Sequence, residues 1–215
     1  TGCRDLDSAG ATYRLTQSIT TTGTCFNITA SLVILNGNGF NLTGDGGTED
    51  YGVYAQGVSS ATVKNFRNIS NFGYGIYLGI GANSSLIQNN SLFNASMSFS
   101  GSDNTISYNT LLASNYSTAV LYCGSSYFNE IVGNNLTSLN SGQGIGIQSG
   151  ESNVGGLCDS VQFHNNTITN FQIGIYSRDP GVGFGSNLFE NLKLINNTYA
   201  FYTGPVQSLM SANTF

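Results

Sequence analysis

Tyr74-Gly75-Ile76-Tyr77, followed by Ile87-Gln88-Asn89-Asn90-Ser91-Leu92, sets out a unit that the rest of the chain repeats. Its first half is an aromatic or polar residue, a small residue, then an alternating apolar pair. It recurs as Tyr51-Gly52-Val53-Tyr54, Gln143-Gly144-Ile145-Gly146-Ile147, Ile173-Gly174-Ile175-Tyr176 and Tyr199-Ala200-Phe201-Tyr202, with weaker copies at Met97–Ser100 and Thr118–Tyr122. The small residues at 52, 75, 98, 119, 144, 174 and 200 are 21 to 30 residues apart. The second half is apolar, two spacers, Asn, one spacer, apolar. It occurs at Leu35/Asn38/Phe40, Ile87/Asn90/Leu92, Ile106/Asn109/Leu111, Ile131/Asn134/Leu136, Phe163/Asn166/Ile168, Leu194/Asn197/Tyr199 and Met210/Asn213/Phe215.

Short runs of period two, separated by Gly, Asn and Ser and lacking helical periodicity, exclude an α-rich fold. Two or three such strands per repeat describe the coil of a solenoid. The chain is therefore expected to be all-β: one right-handed parallel β-helix of about eight coils. Residues 1–30 would supply a capping strand and first coil, and residues 31–215 the repeat coils. Asn38, Asn90, Asn109, Asn134, Asn166, Asn197 and Asn213 are the expected internal ladder. Asn tolerates the left-handed backbone of a bend, and a buried amide needs partners that the same residue in the next coil supplies. The alternative is that these are ordinary loop residues. Around Val63-Lys64-Asn65-Phe66 the Asn is out of step, so an interruption is expected there.

Ten N-x-S/T sequons stand at Asn27, Asn41, Asn68, Asn83, Asn89, Asn94, Asn115, Asn135, Asn165 and Asn196, against about six expected by chance in so Asn-, Ser- and Thr-rich a chain. Asn89, Asn165 and Asn196 each precede an expected ladder Asn, and Asn135 follows one. If chain neighbours point to opposite sides, these four form an outer column able to carry N-linked glycan.

Composition narrows the classes further. Charged residues make up 8% of the 215-residue chain, roughly a third of the usual share. The surface must therefore be polar through the amides and hydroxyls of 27 Asn, 27 Ser and 20 Thr. The 12 Tyr and 13 Phe argue against disorder. A net charge of −5 with no basic cluster argues against nucleic acid, and no apolar run reaches the ~20 residues of a membrane span. Thr1-Gly2-Cys3 is an unusual start for a translated chain, so a removed signal peptide and an extracellular or cell-surface location are expected.

Cys3, Cys25, Cys123 and Cys158 form no CxxC motif. Of three possible pairings, Cys3–Cys25 and Cys123–Cys158 are favoured, each pair lying about one coil apart. Four reduced thiols are the alternative.

The run Tyr13-Arg-Leu-Thr-Gln-Ser-Ile-Thr, then Thr24-Cys25-Phe26-Asn27-Ile28 and Leu35-Asn36-Gly37-Asn38-Gly39-Phe40, resembles the opening coils of pectin-lyase-like parallel β-helix repeat proteins. The similarity is nearest to the NosD-like repeats of archaeal cell-surface and sheath proteins, and the later motif copies extend it over essentially the whole chain. It implies a fold rather than an activity, because the family spans polysaccharide lyases and hydrolases, tailspikes, adhesins and surface-layer subunits. The Asn-Thr-Asp, paired Asp, Gly-His-Gly and Arg-Ile-Lys segments of its polygalacturonase branch are absent. Glycoside hydrolysis needs two carboxylates flanking the bond, ~5–10 Å apart. Only Asp45, Glu49 and Asp50 gather locally, in a loop that reads as solvated. Arg178-Asp179-Pro180 reads as a turn-closing ion pair, and His164, the one histidine, as an inward or bend residue. No catalytic residue, metal site or cofactor is expected.

The last residues, Met210-Ser-Ala-Asn213-Thr-Phe215, repeat the ladder motif and predict an uncapped coil edge able to meet another subunit. A chain that continues into a further domain is the alternative. The expected function is a structural subunit of a self-assembling extracellular sheath, layer or filament, with copies of itself as partners. Glycans are possible further partners: a carbohydrate-binding adhesin using Tyr54, Tyr77, Tyr176 and Tyr202 is the alternative, and a polysaccharide-processing enzyme a more distant one.

Overall fold

The computed structural model describes residues 2–114, 119–149, 158–177 and 186–203. It is an all-β parallel solenoid with three long faces. Sheet A has nine strands, from Arg4–Leu6 to Tyr199–Thr203; sheet B has eight, from Thr12–Arg14 to Leu188–Glu190; sheet C has eight, from Ile19–Thr20 to Lys193–Ile195. Each strand pairs in parallel with its counterpart one coil earlier and one coil later. Over the described residues the solenoid makes about seven turns, close to the eight coils expected from counting motifs. No helix among the described residues is long and apolar enough to cross a membrane.

Strand alternation places one residue of each three-residue rung inside. Leu35, Val63, Ile87, Ile106, Ile131 and Phe163 stack in register beneath sheet B, and Leu42, Ile69, Leu92, Leu111, Leu136 and Ile168 beneath sheet C, all buried. At the N-terminal end the corresponding positions of the first rung hold Arg4 and Tyr13, in register with Phe26 and Leu35. Their cation–π contact at 5.7 Å shields the apolar column there. On sheet A the register runs evenly past the small residue, Tyr51 pairing with Tyr74 and Val53 with Ile76. It shifts by one only on the next rung, where Tyr74 pairs with Ser96 and Ile76 with Met97. A Cβ on Gly52 would lie 2.6 Å from the carbonyl oxygen of Gly75, and one on Gly146 equally close to that of Gly174, which explains the glycine of the motif.

All three corners turn by one device. A residue in the left-handed region, directly after a strand at the B/C and C/A corners and two positions before the next strand at the A/B corner, is followed by a residue that points inward. Between sheets B and C the left-handed residues are Asn65, Asn89, Tyr108, Gly133, Asn165 and Asn191; between A and B they are Leu32, Ser60, Ser84, Asp103, Phe128 and Ser160; between C and A they include Asn71, Asn94, Asn170 and Asn196. Asn and Gly suit this conformation best.

The inward corner residue explains the ladder and corrects it. Asn90, Asn109, Asn134 and Asn166 form an unbroken internal column, linked amide to amide at 3.1, 3.1 and 3.0 Å. Each also fastens the coil before it. Its Oδ1 accepts the N–H of the residue at the same corner, and its Nδ2 donates to the carbonyl three residues earlier. For Asn134 these are Asn109 N–H at 2.9 Å and the Ile106 carbonyl at 2.8 Å. Asn38 does not belong to the column: it is exposed, at φ 51°, in a bend widened by Gly37 and Gly39. Phe66 takes the inward slot before Asn90 and donates its N–H to the Asn90 Oδ1, so the interruption lies at Asn65–Phe66, where the motif slipped.

Asn197 is also off the column. It sits at the corner between sheets C and A and clamps Phe171 N–H and the Ile168 carbonyl, while Leu192 follows Asn166 in the column. Leu194-x-x-Asn197 matches Ile87-x-x-Asn90 because the two corners share one geometry. Asn213 lies outside the described residues.

Both favoured disulfides are present, Cys3–Cys25 and Cys123–Cys158, each joining successive coils. Beside the second, Ser126–Tyr127 pairs with Cys158–Asp159 in a small additional sheet.

Candidate functional site

The outer face of sheet A carries a clustered array of tyrosines able to meet a ligand. Outward positions in register run Asp5, Asn27, Tyr54, Tyr77, Ser98, Tyr122, Gln148, Tyr176 and Tyr202. A second outward row begins Tyr51 and Tyr74. Tyr54 and Tyr77 stack at 5.4 Å with their planes 2° apart, Tyr51 and Tyr74 at 5.7 Å and 13°. Edge contacts between the two rows, such as Tyr51–Tyr54 at 4.9 Å, close a four-ring cluster. Aromatic pairs contribute about 0.5–1.5 kcal/mol each beyond their burial, so the cluster stiffens the face. One rung on, Ser96 and Ser98 are buried although they point outward, with Tyr74 and Tyr122 meeting at 6.1 Å from the rungs on either side.

Toward the N-terminus the tyrosine column stops at a step, because Asn27 and Asp5 are shorter than the rings above them. The step is a groove of about 700 Å³ lined by Arg4, Asp5, Thr24, Asn27, Tyr51 and Tyr54, with the Cys3–Cys25 disulfide at its foot. Asn27 Nδ2 donates to Asp5 Oδ1 at 3.1 Å across the floor. The tyrosines of the first motif were visible in the sequence. The groove was not, because it depends on the register that sets Tyr54 over Asn27.

The sequons divide among the faces. Asn41, Asn68 and Asn135 occupy one outward column of sheet C, and Asn89 and Asn165 the left-handed corner beside it. These five share one flank, and of them Asn89, Asn135 and Asn165 are exposed. Asn196, expected on that flank, is exposed at the opposite corner in the row of Asn94. Asn83 and Asn94 are engaged in the fold: their Oδ1 atoms accept the N–H groups of Ser102 and Ser114, each at 2.8 Å. Asn27 stands alone on sheet A, and Asn115 lies outside the described residues.

Comparison with protein-family models, curated proteins and solved structures gives no match in any of the three.

The remaining titratable groups are dispersed. His164 lies on the outer face of sheet B, not inside or at a bend, because Phe163 takes the inward position of its rung. Its Nε2 meets Glu130 Oε1 at 2.8 Å, with Glu190 in register on the next rung. Asp45 accepts the Gly47 N–H at 3.2 Å in a turn. Among the described residues no three His, Cys, Asp or Glu side chains gather to hold a metal ion. Glu151 and Arg178-Asp179-Pro180 lie outside the described residues.

Proposed function

We propose that the chain is a rigid, N-glycosylated structural rod of an extracellular sheath, surface layer or filament, without a catalytic role. The observation that carries this reading is the way every coil is fastened to the next. Parallel ladders run the length of three faces, asparagine clamps hold successive corners, and two disulfides staple neighbouring coils. Such a body transmits load along its axis and needs no hinge. The disulfides suit an oxidising, extracellular setting, and the exposed sequons of the B/C flank suit a glycan-coated wall. The resemblance to NosD-like repeats of archaeal cell-surface proteins points the same way. The expected partners are further copies of the chain.

Electron microscopy of native material is expected to show regular layers or filaments. A monodisperse monomer at high concentration would sink the polymer. A second reading, a module that binds external glycans, is favoured by the tyrosine cluster alone. It predicts retention on an immobilised glycan array that is lost on Tyr77→Ala.

A further inference from the structure

We propose that the groove at the step of the tyrosine column is the seat of a pyranose ring, the first sugar of a glycan on Asn27. This inference rests on the N-glycosylation in the reading above and assigns that sugar a structural role.

Asn27 opens the sequon Asn27-Ile28-Thr29 at the centre of its rung, with Ile28 buried and Thr29 exposed. It is the one sequon of sheet A, and it stands in register directly before Tyr54. The stacking of Tyr54 on Tyr77 and of Tyr51 on Tyr74 leaves each lower ring with one face toward Asn27. A pyranose joined to Asn27 Nδ2 lies against those faces, its C–H side on the rings, as amphipathic aromatics favour. The Asp5 carboxylate supplies acceptors and the Thr24 hydroxyl both a donor and an acceptor for the sugar hydroxyls. A glycosylated amide keeps one N–H, which leaves Asn27 a donor for Asp5 Oδ1 after attachment. The volume, about 700 Å³, lies within the range of small-ligand sites.

No other sequon among the described residues stands in register with a stacked tyrosine pair. Asn89 neighbours Tyr108, but that ring lies over Gly133, its Cε1 2.7 Å from where a Cβ would stand.

The test uses the whole chain from a glycosylating host. Peptide mapping first measures occupancy at Asn27. Thr29→Ala then removes the sequon while leaving Asn27 in place, and is compared in the native and Tyr54→Ala backgrounds. Loss of the glycan is expected to lower the melting temperature by about 3–5 °C when Tyr54 is present and by under about 1 °C when it is absent. Unglycosylated protein supplies the baseline cost of Thr29→Ala, which includes the 3.5 Å hydrogen bond from the Thr29 hydroxyl to the Leu6 carbonyl, and is expected to be the same with and without Tyr54. Ring protons of the Asn27-linked sugar are expected to shift upfield, and to return on Tyr54→Ala. An occupied Asn27 with no Tyr54 coupling and no upfield shift would overturn the inference and leave the glycosylation standing. An unoccupied Asn27 would overturn both at this site.

Discussion

The corner between sheets B and C and the corner between sheets A and B turn the chain alike but hold it differently. At the first, four consecutive inward residues are Asn, and each amide meets the next. At the second, the inward residues run Ala61, Ser85, Asn104, Asn129, Val161 and Asn187. Here Asn129 clamps Asn104 N–H and the Gly101 carbonyl, and Asn187 clamps Val161 N–H and the Cys158 carbonyl, without an unbroken column. The unit of stability is therefore the clamp on the preceding coil. Amide-to-amide contact is an addition that arises when clamps fall on successive coils. Where Val161 breaks the second series, the Cys123–Cys158 disulfide bonds the same two coils covalently.

The comparison can be broken by substitution. Asn134→Ala strands the Asn109 N–H, the Ile106 carbonyl and one lone-pair site on Asn166, all buried. Stranded groups of this kind cost about 1–3 kcal/mol each, so a loss of about 4–5 kcal/mol in chemical denaturation is expected. Replacing Cys123 and Cys158 together by Ser opens a 35-residue separation, with an expected loss of about 3–4 kcal/mol. Asn129→Ala removes one clamp without an amide neighbour, at about 2–3 kcal/mol.

The smallest effect sharpens the idea most. Asn104 Nδ2 is buried with no partner among the described residues, whereas its Oδ1 accepts Ser85 N–H at 2.8 Å. Ser85 already performs such a half-clamp with its hydroxyl, accepting Ala61 N–H at 3.1 Å. Asn104→Ser should therefore cost under about 1 kcal/mol, while Asn134→Ser should cost several times more. Equal losses at the two sites would refute the clamp as the unit.

Much of this architecture was legible in the sequence because burial writes itself into period-two runs, and the B/C corner writes apolar-x-x-Asn. The four central column residues and both disulfides followed from that. The second corner was missed because its signal is shorter: Asn104-Thr-Ile, Asn129-Glu-Ile and Asn187-Leu-Phe place the Asn just before a strand rather than after one. Asn197 was assigned to the wrong corner for a physical reason, since every corner presents a left-handed residue and then an inward one. Asn38 was misplaced because Gly37 and Gly39 lengthen its bend, and spacing cannot tell a wide turn from a tight one. The groove at Asn27 depends on lateral register between coils, which local motifs do not encode.

The clamps have one more consequence. From Phe66 through Asn166, successive contacts span 24, 19, 25 and 32 residues of chain, yet each backbone N–H reaches the next amide oxygen at 2.9–3.1 Å. The fastening is blind to how much polypeptide lies between one rung and the next. Peptide inserted between rungs would project sideways, like a tab from a stack of washers, while the spacing of the stack held. That makes the rod a scaffold on which new surface can be grafted without redesigning its interior.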